Sequence, residues 1–163
     1  MATNNAVNEN VPLQGFSAYK SATTANATGD ATAVDFIADQ ELFDNGSCYD
    51  HTTGVFVAPL PGKYLLTATV CIDTVTVGHT AAEIKLVNTT SGNVLATGLC
   101  NPYNSGSAAG VLSLDVNATP LLAQGDNVKV VVTVSNSTKT VGIVGTAAAD
   151  IRSWFTGFFI FMA

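Results

Sequence analysis

Apolar and polar residues alternate with a period of two along most of the chain. Val128, Val130, Val132 and Val134 are interleaved with Lys129, Val131 and Thr133; Leu112 and Leu114 flank Ser113, and Ile84 and Leu86 flank Lys85. Successive side chains of a strand point to opposite faces, so such alternation in β-branched, Thr-rich runs predicts strands with one side buried. No window carries apolar residues at the three–four spacing of a helix, and the Ala-rich residues 147–149 are too few for more than a turn. The pattern predicts strands near 13–20, 34–43, 55–59, 62–73, 81–88, 94–99, 111–116, 126–135, 140–145 and 153–162. Turn-forming clusters separate them, among them Thr28-Gly29-Asp30, Asp44-Asn45-Gly46-Ser47, Pro59-Leu60-Pro61-Gly62 and Gln124-Gly125-Asp126. Many short antiparallel strands at this spacing imply an all-β fold, a two-sheet sandwich or jelly roll.

A chain of 163 residues is the size of one domain. No repeat or linker divides it. Residues 1–12 form a polar, Asn-rich arm without a core-forming pattern, ahead of a domain spanning 13–163. Ends of that composition fray unless a neighbour holds them, so the arm is expected to lie against another chain. Charge narrows the function. Six basic residues, a single Arg among them, against 12 acidic ones leave a net charge of −6, without the clustered cationic footprint that nucleic-acid binding needs. No stretch approaches the roughly 18–20 apolar residues of a membrane helix. With 47% hydrophobic and only 11% charged residues, much of the surface must be Thr, Ser and Asn, and part is expected to face another subunit. Residues 1–12 lack the cationic and apolar regions of a secretory signal, which gives the expectation of a chain made in a cytoplasm. Cys48, Cys71 and Cys100 show no C-x-x-C spacing and are expected to be reduced, core-filling thiols.

Several segments resemble a known family. Gly15-Phe16-Ser17-Ala18-Tyr19 is similar to the opening strand of the globular head of complement component 1q, which shares its jelly roll with tumour necrosis factor. The run from Phe43 to Tyr64 resembles the family's Tyr-Asp turn, Thr-Gly pair, Phe-containing strand and Pro-Gly-x-Tyr entry to the next strand. Its counterparts here are Tyr49-Asp50, Thr53-Gly54, Val55-Phe56-Val57 and Pro61-Gly62-Lys63-Tyr64. Leu121-Leu122 with Gly125-Asp126 and Val128 is similar to the late Gly-Asp element, and Trp154-Phe155-Thr156-Gly157-Phe158-Phe159-Ile160 to the closing strand. The resemblance implies a homotrimer with the first and last strands near the threefold axis. Phe16, Tyr19, Trp154, Phe155, Phe158, Phe159 and Phe161 are the expected interface residues, since the closing segment is apolar on both faces of any strand. Gly157, inside that aromatic strand, is expected where a ring or backbone approaches closely.

Catalysis is not expected. His51 and His79 are the available neutral-pH bases; neither lies in a motif with a Ser or Cys nucleophile, and both read as solvated turn residues. Asp44, Asn45, Ser47 and Asp50 form an oxygen-rich loop, but without the EF-hand pattern turn hydrogen bonding accounts for them, so no metal and no cofactor is expected. Glycosylation-type triplets such as Asn26-Ala27-Thr28 follow from Asn/Thr-rich loops. A jelly roll of extracellular type made in a cytoplasm fits a virus particle, and the Gly-Phe-x-Ala-Tyr opening with Thr28-Gly29-Asp30 resembles bacteriophage structural proteins. The expected function is a non-enzymatic trimeric cement or decoration protein on the capsid surface of a virion. Its partner is the major capsid protein or another virion protein, with no nucleic acid and no membrane. Asn4, Asn5, Val7, Asn8 and Val11 of the arm are the expected contacts to the shell or an adjacent trimer. A head-fibre or tail module recognising a host glycan or protein is the alternative.

Overall fold

The computed structural model describes residues 13–102 and 111–162. The arm, with Asn4, Asn5, Val7, Asn8 and Val11, lies outside the described residues. Fourteen strands and no α-helix occur among those described. The larger sheet runs β4 (Gln40–Asn45), β1 (Gly15–Tyr19), β14 (Trp154–Met162), β7 (Gly62–Asp73), with β10 (Leu112–Ala118) and β11 (Leu121–Leu122) on the far edge of β7. The end of β7 also pairs with β13 (Val141–Ile143), which carries β2 (Thr24–Thr28). The smaller sheet runs β5 (Tyr49–Asp50), β6 (Val55–Val57), β12 (Asn127–Ser135), β8 (Ala81–Asn88), β9 (Asn93–Cys100), and β3 (Ala33–Phe36) sits beside β6 on β12. The pairings are antiparallel throughout, the two-sheet jelly roll that the alternation predicts.

The core lies between the sheets. Val128, Val130, Val132 and Val134 from β12 face Leu66, Val70 and Ile72 from β7, all fully buried. One end of this layer is aromatic. Phe16 stacks on Tyr49 with ring centroids 4.6 Å apart and meets Phe155 edge-on at 4.9 Å, while Phe56 and Tyr64 continue the cluster. Buried phenols need partners. Tyr49 Oη donates to the Ala38 carbonyl and accepts from its N–H, and Tyr64 does the same with Leu60.

Two stretches depart from the pattern. The strand expected over 34–43 is two strands in different sheets. Between them Ala38 is fully buried, and the Asp39 carboxylate takes the N–H and hydroxyl of Ser21, each at 2.7 Å. Burial works against charge on Asp39, yet the Ser21 hydrogen bonds outweigh it and hold its pKa below the ordinary value. A chain crossing from one layer to the other must leave one ladder before joining the next, and alternation alone does not reveal the break. The other departure is β2, Thr-Ala-Asn-Ala-Thr, whose first three residues are exposed and which is organised by its pairing with β13.

The Tyr49-Asp50-His51-Thr52-Thr53-Gly54 turn closes as the sequence suggests, with Gly54 at φ +74°. The Asp50 carboxylate accepts from Thr52 N and Oγ1 and from Thr53 Oγ1, and these bonds, the Thr52 hydroxyl first, lower its pKa to about 2. A depressed carboxyl pKa stabilises the fold above its unfolded value, near 3.8, and that contribution is lost as pH falls through about 2. NMR titration of Asp50 should therefore give a midpoint near 2, and Thr52→Val should raise it; an ordinary midpoint in the intact protein would contradict this turn geometry.

Candidate functional site

The outer face of the larger sheet carries several exposed apolar residues, among them Phe43, Leu65, Leu121 and Phe161. Its geometry begins with two glycine–phenylalanine pairs in the β1–β14 register, Gly15 opposite Phe158 and Phe16 opposite Gly157. A Cβ on Gly157 would stand 2.6 Å from the Phe16 ring and 2.8 Å from a Leu66 methyl; one on Gly15 would stand 2.8 Å from the Phe158 ring. Each ring thus lies across the glycine of the other strand, Phe16 on the inner face and Phe158 on the outer. The close approach expected at Gly157 is made by Phe16.

Residues opposite one another in register share a face. At one end of the outer face Tyr19, Trp154, Thr69 and Asp115 form a row, with Thr69 Oγ1 donating to Asp115 at 2.6 Å. The next row, Ser17, Thr156, Thr67 and Asn117, is also polar apart from Phe43 on β4. Beyond it the surface becomes apolar: Phe158 beside Leu65, then Phe161, Lys63 and Leu121. Phe43 and Phe158 have centroids 5.9 Å apart. Phe161 is 53% and Leu121 67% exposed, so this end of the sheet has no cover in a single chain.

The expected interface residues divide accordingly. Phe16 and Phe155 are 0% exposed within one chain and face the opposite sheet, so they have no surface to offer a neighbour; their assignment to the interface is corrected. Phe159 also turns inward, edge-on to Tyr64 at 5.3 Å, and is half-buried at the rim of the core. Tyr19, Trp154 and Phe158 take outer positions, and Phe161 follows a bulge between Phe159 and Phe161. Phe43, Leu65 and Leu121 were not expected there. Leu65 had a signal: it is an apolar residue at an outward position of β7, between inward-facing Tyr64 and Leu66.

The histidines differ. His51 is exposed, as expected, with Nδ1 2.8 Å from Glu41 Oε1. His79, expected to be solvated, is wholly buried. Its Nδ1 accepts from the Thr76 N–H at 2.9 Å, and Nε2 lies 3.0 Å from the Thr138 carbonyl, which fits the neutral ring with its proton on Nε2. The ring joins the β7–β8 loop to the β12–β13 loop. His79→Ala strands the Thr76 N–H, whereas the Thr138 carbonyl still accepts from the Thr140 N–H at 2.8 Å, so the change should cost about 1–3 kcal/mol. Hydrogen exchange should quicken first at residues 74–80 and 136–140; unchanged exchange there would contradict the pinning role.

Other chemically capable groups are engaged structurally. Cys48 Sγ donates to Asp44 Oδ1 at 3.2 Å, and burial with that neighbouring carboxylate pushes the thiol pKa up, away from the thiolate that a nucleophile needs. Cys71 Sγ contacts Ser113 Oγ and the Arg152 carbonyl, both at 3.2 Å. Asp44 accepts from Cys48 N and Tyr49 N, while Asp50 serves its own turn, so the oxygen-rich loop turns its carboxylates to separate tasks. Among the described residues no three His, Cys, Asp or Glu side chains converge as a metal site would require.

A family model for the C1q domain matches residues 15–160. The chain belongs to the C1q domain family. Its fold is similar to the globular domain of zebrafish complement 1qA, with TM-score 0.63 at 17% identity over 92% of this chain and 99% of that one. Eiger, a tumour necrosis factor from S. frugiperda, aligns with TM-score 0.62 at 13% identity over 93% and 95%, and murine APRIL with 0.60 at 13% over 91% and 100%. No curated protein matches the chain in sequence. The jelly-roll and complement 1q-like expectations therefore hold, and C1q and tumour necrosis factor-like domains are generally non-enzymatic binding modules.

Proposed function

We propose that this C1q domain is a homotrimeric, non-enzymatic structural protein of a virus particle, a cement or decoration protein clamping capsid subunits of a bacteriophage head. The observation that carries the self-association is the group of outward-facing apolar residues at one end of the larger sheet, Phe43, Leu65, Phe158, Phe161 and Leu121, interrupted only by Lys63. A contiguous patch of that kind on a monomer invites aggregation, whereas packing of identical copies about a threefold axis hides it. Support for the virion comes from the Gly15-to-Tyr19 opening and the Thr28-Gly29-Asp30 turn, which resemble those of bacteriophage structural proteins. A trimer multiplies weak contacts to a repeating shell into firm attachment, which suits a clamp that performs no chemistry.

The test is to measure the mass of the purified protein in solution and then add it to expanded, undecorated capsids. The proposal expects a trimer that binds empty heads and protects them from heat or chaotrope. Binding to whole host cells with no affinity for capsids would transfer the function to receptor recognition.

A further inference from the structure

Asn45-Gly46, at the end of β4, is the one Asn-Gly step in the chain. Both residues are exposed. Gly46 sits at φ +107°, and a Cβ there would run into the Gln14 side chain, so the turn requires glycine directly after the asparagine. Among the described residues, nothing hydrogen-bonds the Asn45 carboxamide or the Gly46 N–H. An unshielded backbone nitrogen beside an unengaged carboxamide is the arrangement in which the nitrogen can attack the carboxamide carbon, the reaction that makes asparagine a labile residue.

The other described asparagines lack one part or another of this arrangement. Asn88 Oδ1 accepts from the Thr90 and Ser91 N–H groups, Asn127 Nδ2 donates to Thr90 Oγ1, and Asn136 Nδ2 donates to Thr80 Oγ1. Asn101 precedes Pro102, which has no N–H to react. Asn26, Asn93 and Asn117 precede Ala27, Val94 and Ala118, whose side chains crowd the ring that the attack would close.

Position gives the reaction a consequence. Asn45 is opposite Gly15 in register, Gly15 is opposite Phe158, and Phe158 is opposite Leu65. Residues opposite one another share a face, so Asn45 stands at the margin of the outer apolar residues, two positions along β4 from Phe43. Next to it, the Asp44 carboxylate holds the N–H groups of Cys48 and Tyr49.

We propose that Asn45-Gly46 is a self-modifying site that places a carboxylate on this outer face. The Gly46 nitrogen loses its proton and bonds to Asn45 Cγ, the Cγ–Nδ2 bond breaks, and ammonia leaves with a proton. Water then opens the five-membered imide at either carbonyl, giving aspartate or isoaspartate, so the net change is water taken up and ammonia released. Both products are anionic. Isoaspartate also routes the main chain through the former side chain, which displaces the end of β4 from its register with β1. The effect on assembly rests on the trimer reading: where copies pack over Phe158 and Leu65, the new charge opposes them, because an unpaired charge is costly to bury.

The chemistry is tested on the full chain, incubated in dilute solution at mildly alkaline pH in heavy-oxygen water. Fragmentation of the tryptic peptide of residues 21–63 then locates any change. Loss of the amide at Asn45 should precede loss at every other described asparagine, with heavy oxygen in the new carboxyl and isoaspartate detected by a methyltransferase specific for it. Asn45→Gln, whose attack would need a larger ring, should abolish the change. An Asn45 that keeps its amide throughout, or that outlasts Asn26 in the same peptide, overturns the site. Sedimentation equilibrium reads the consequence. Asn45→Asp should weaken the trimer at least about tenfold, since its charge has no partner there. Aged wild-type protein should lose trimer in step with conversion, and Asn45→Gln should keep it. A wild-type trimer that Asn45→Asp leaves unchanged overturns the coupling and spares the trimer. A wild-type monomer sinks the trimer reading, and the coupling with it, while the mass analysis still decides the chemistry at Asn45.

Discussion

If the chain forms the proposed trimer, replacing Phe158 with Asp should abolish it while leaving a folded jelly roll. Phe158 lies on the outer face across Gly15 and beside Phe43 and Leu65, so its ring contributes to the surface more than to the core. Losing its burial against a neighbour removes about 1.5–3 kcal/mol per copy, applied three times in one assembly. Three carboxylates brought into an apolar interface without partners add a further penalty. Sedimentation should show monomer or aggregate at micromolar concentration, and far-ultraviolet circular dichroism should retain its strand signal. A soluble trimer of unchanged affinity would remove this face from the assembly.

Phe16→Ala should have the opposite signature. Its ring is fully buried, stacked on Tyr49, edge-on to Phe155 and seated over Gly157. Deleting it opens a cavity among rigid aromatic neighbours, at a cost of about 3–5 kcal/mol. For a domain of this size each kcal/mol lowers Tm by roughly 2–4 °C, so a fall of about 6–20 °C is expected. Below that lower Tm the protein should still self-associate, because Phe16 has no surface outside its own chain. If Phe16→Ala dissolved the trimer without lowering Tm, the assignment of inner and outer faces would be reversed.

The contrast between these two phenylalanines shows where reading the sequence ends. Alternation is direct where one residue in two is polar: β12 and β8 bury the residues that the pattern selects, because each outward-facing Lys, Thr or Glu fixes the phase of its strand. The closing strand offers one such marker, Thr156, and none in the apolar run from Phe158 to Met162 that follows it. Trp154, Phe155, Phe158, Phe159, Ile160 and Phe161 are apolar whichever way the strand is turned. Inner and outer positions there are set by the register with β1 and by the bulge after Phe159. His79 was unreadable for a related reason. A polar residue in a Gly-containing loop looks solvated, and the carbonyl that buries it, Thr138, is 59 residues away.

From its own residues, the chain determined that it is all-β, where most of its strands run and that one of them carries more apolar surface than a single core can absorb. These properties are local: each depends on a side chain and its neighbours within a few positions. Tertiary structure alone decided that Phe16 and Phe155 turn inward while Phe43, Leu65, Phe158 and Phe161 collect on one outer face, and that Lys63 stands among them. The reason is that a sheet's face is shared by strands far apart in the chain. Which residues become neighbours on it depends on register and bulges, and pairing between distant strands settles both.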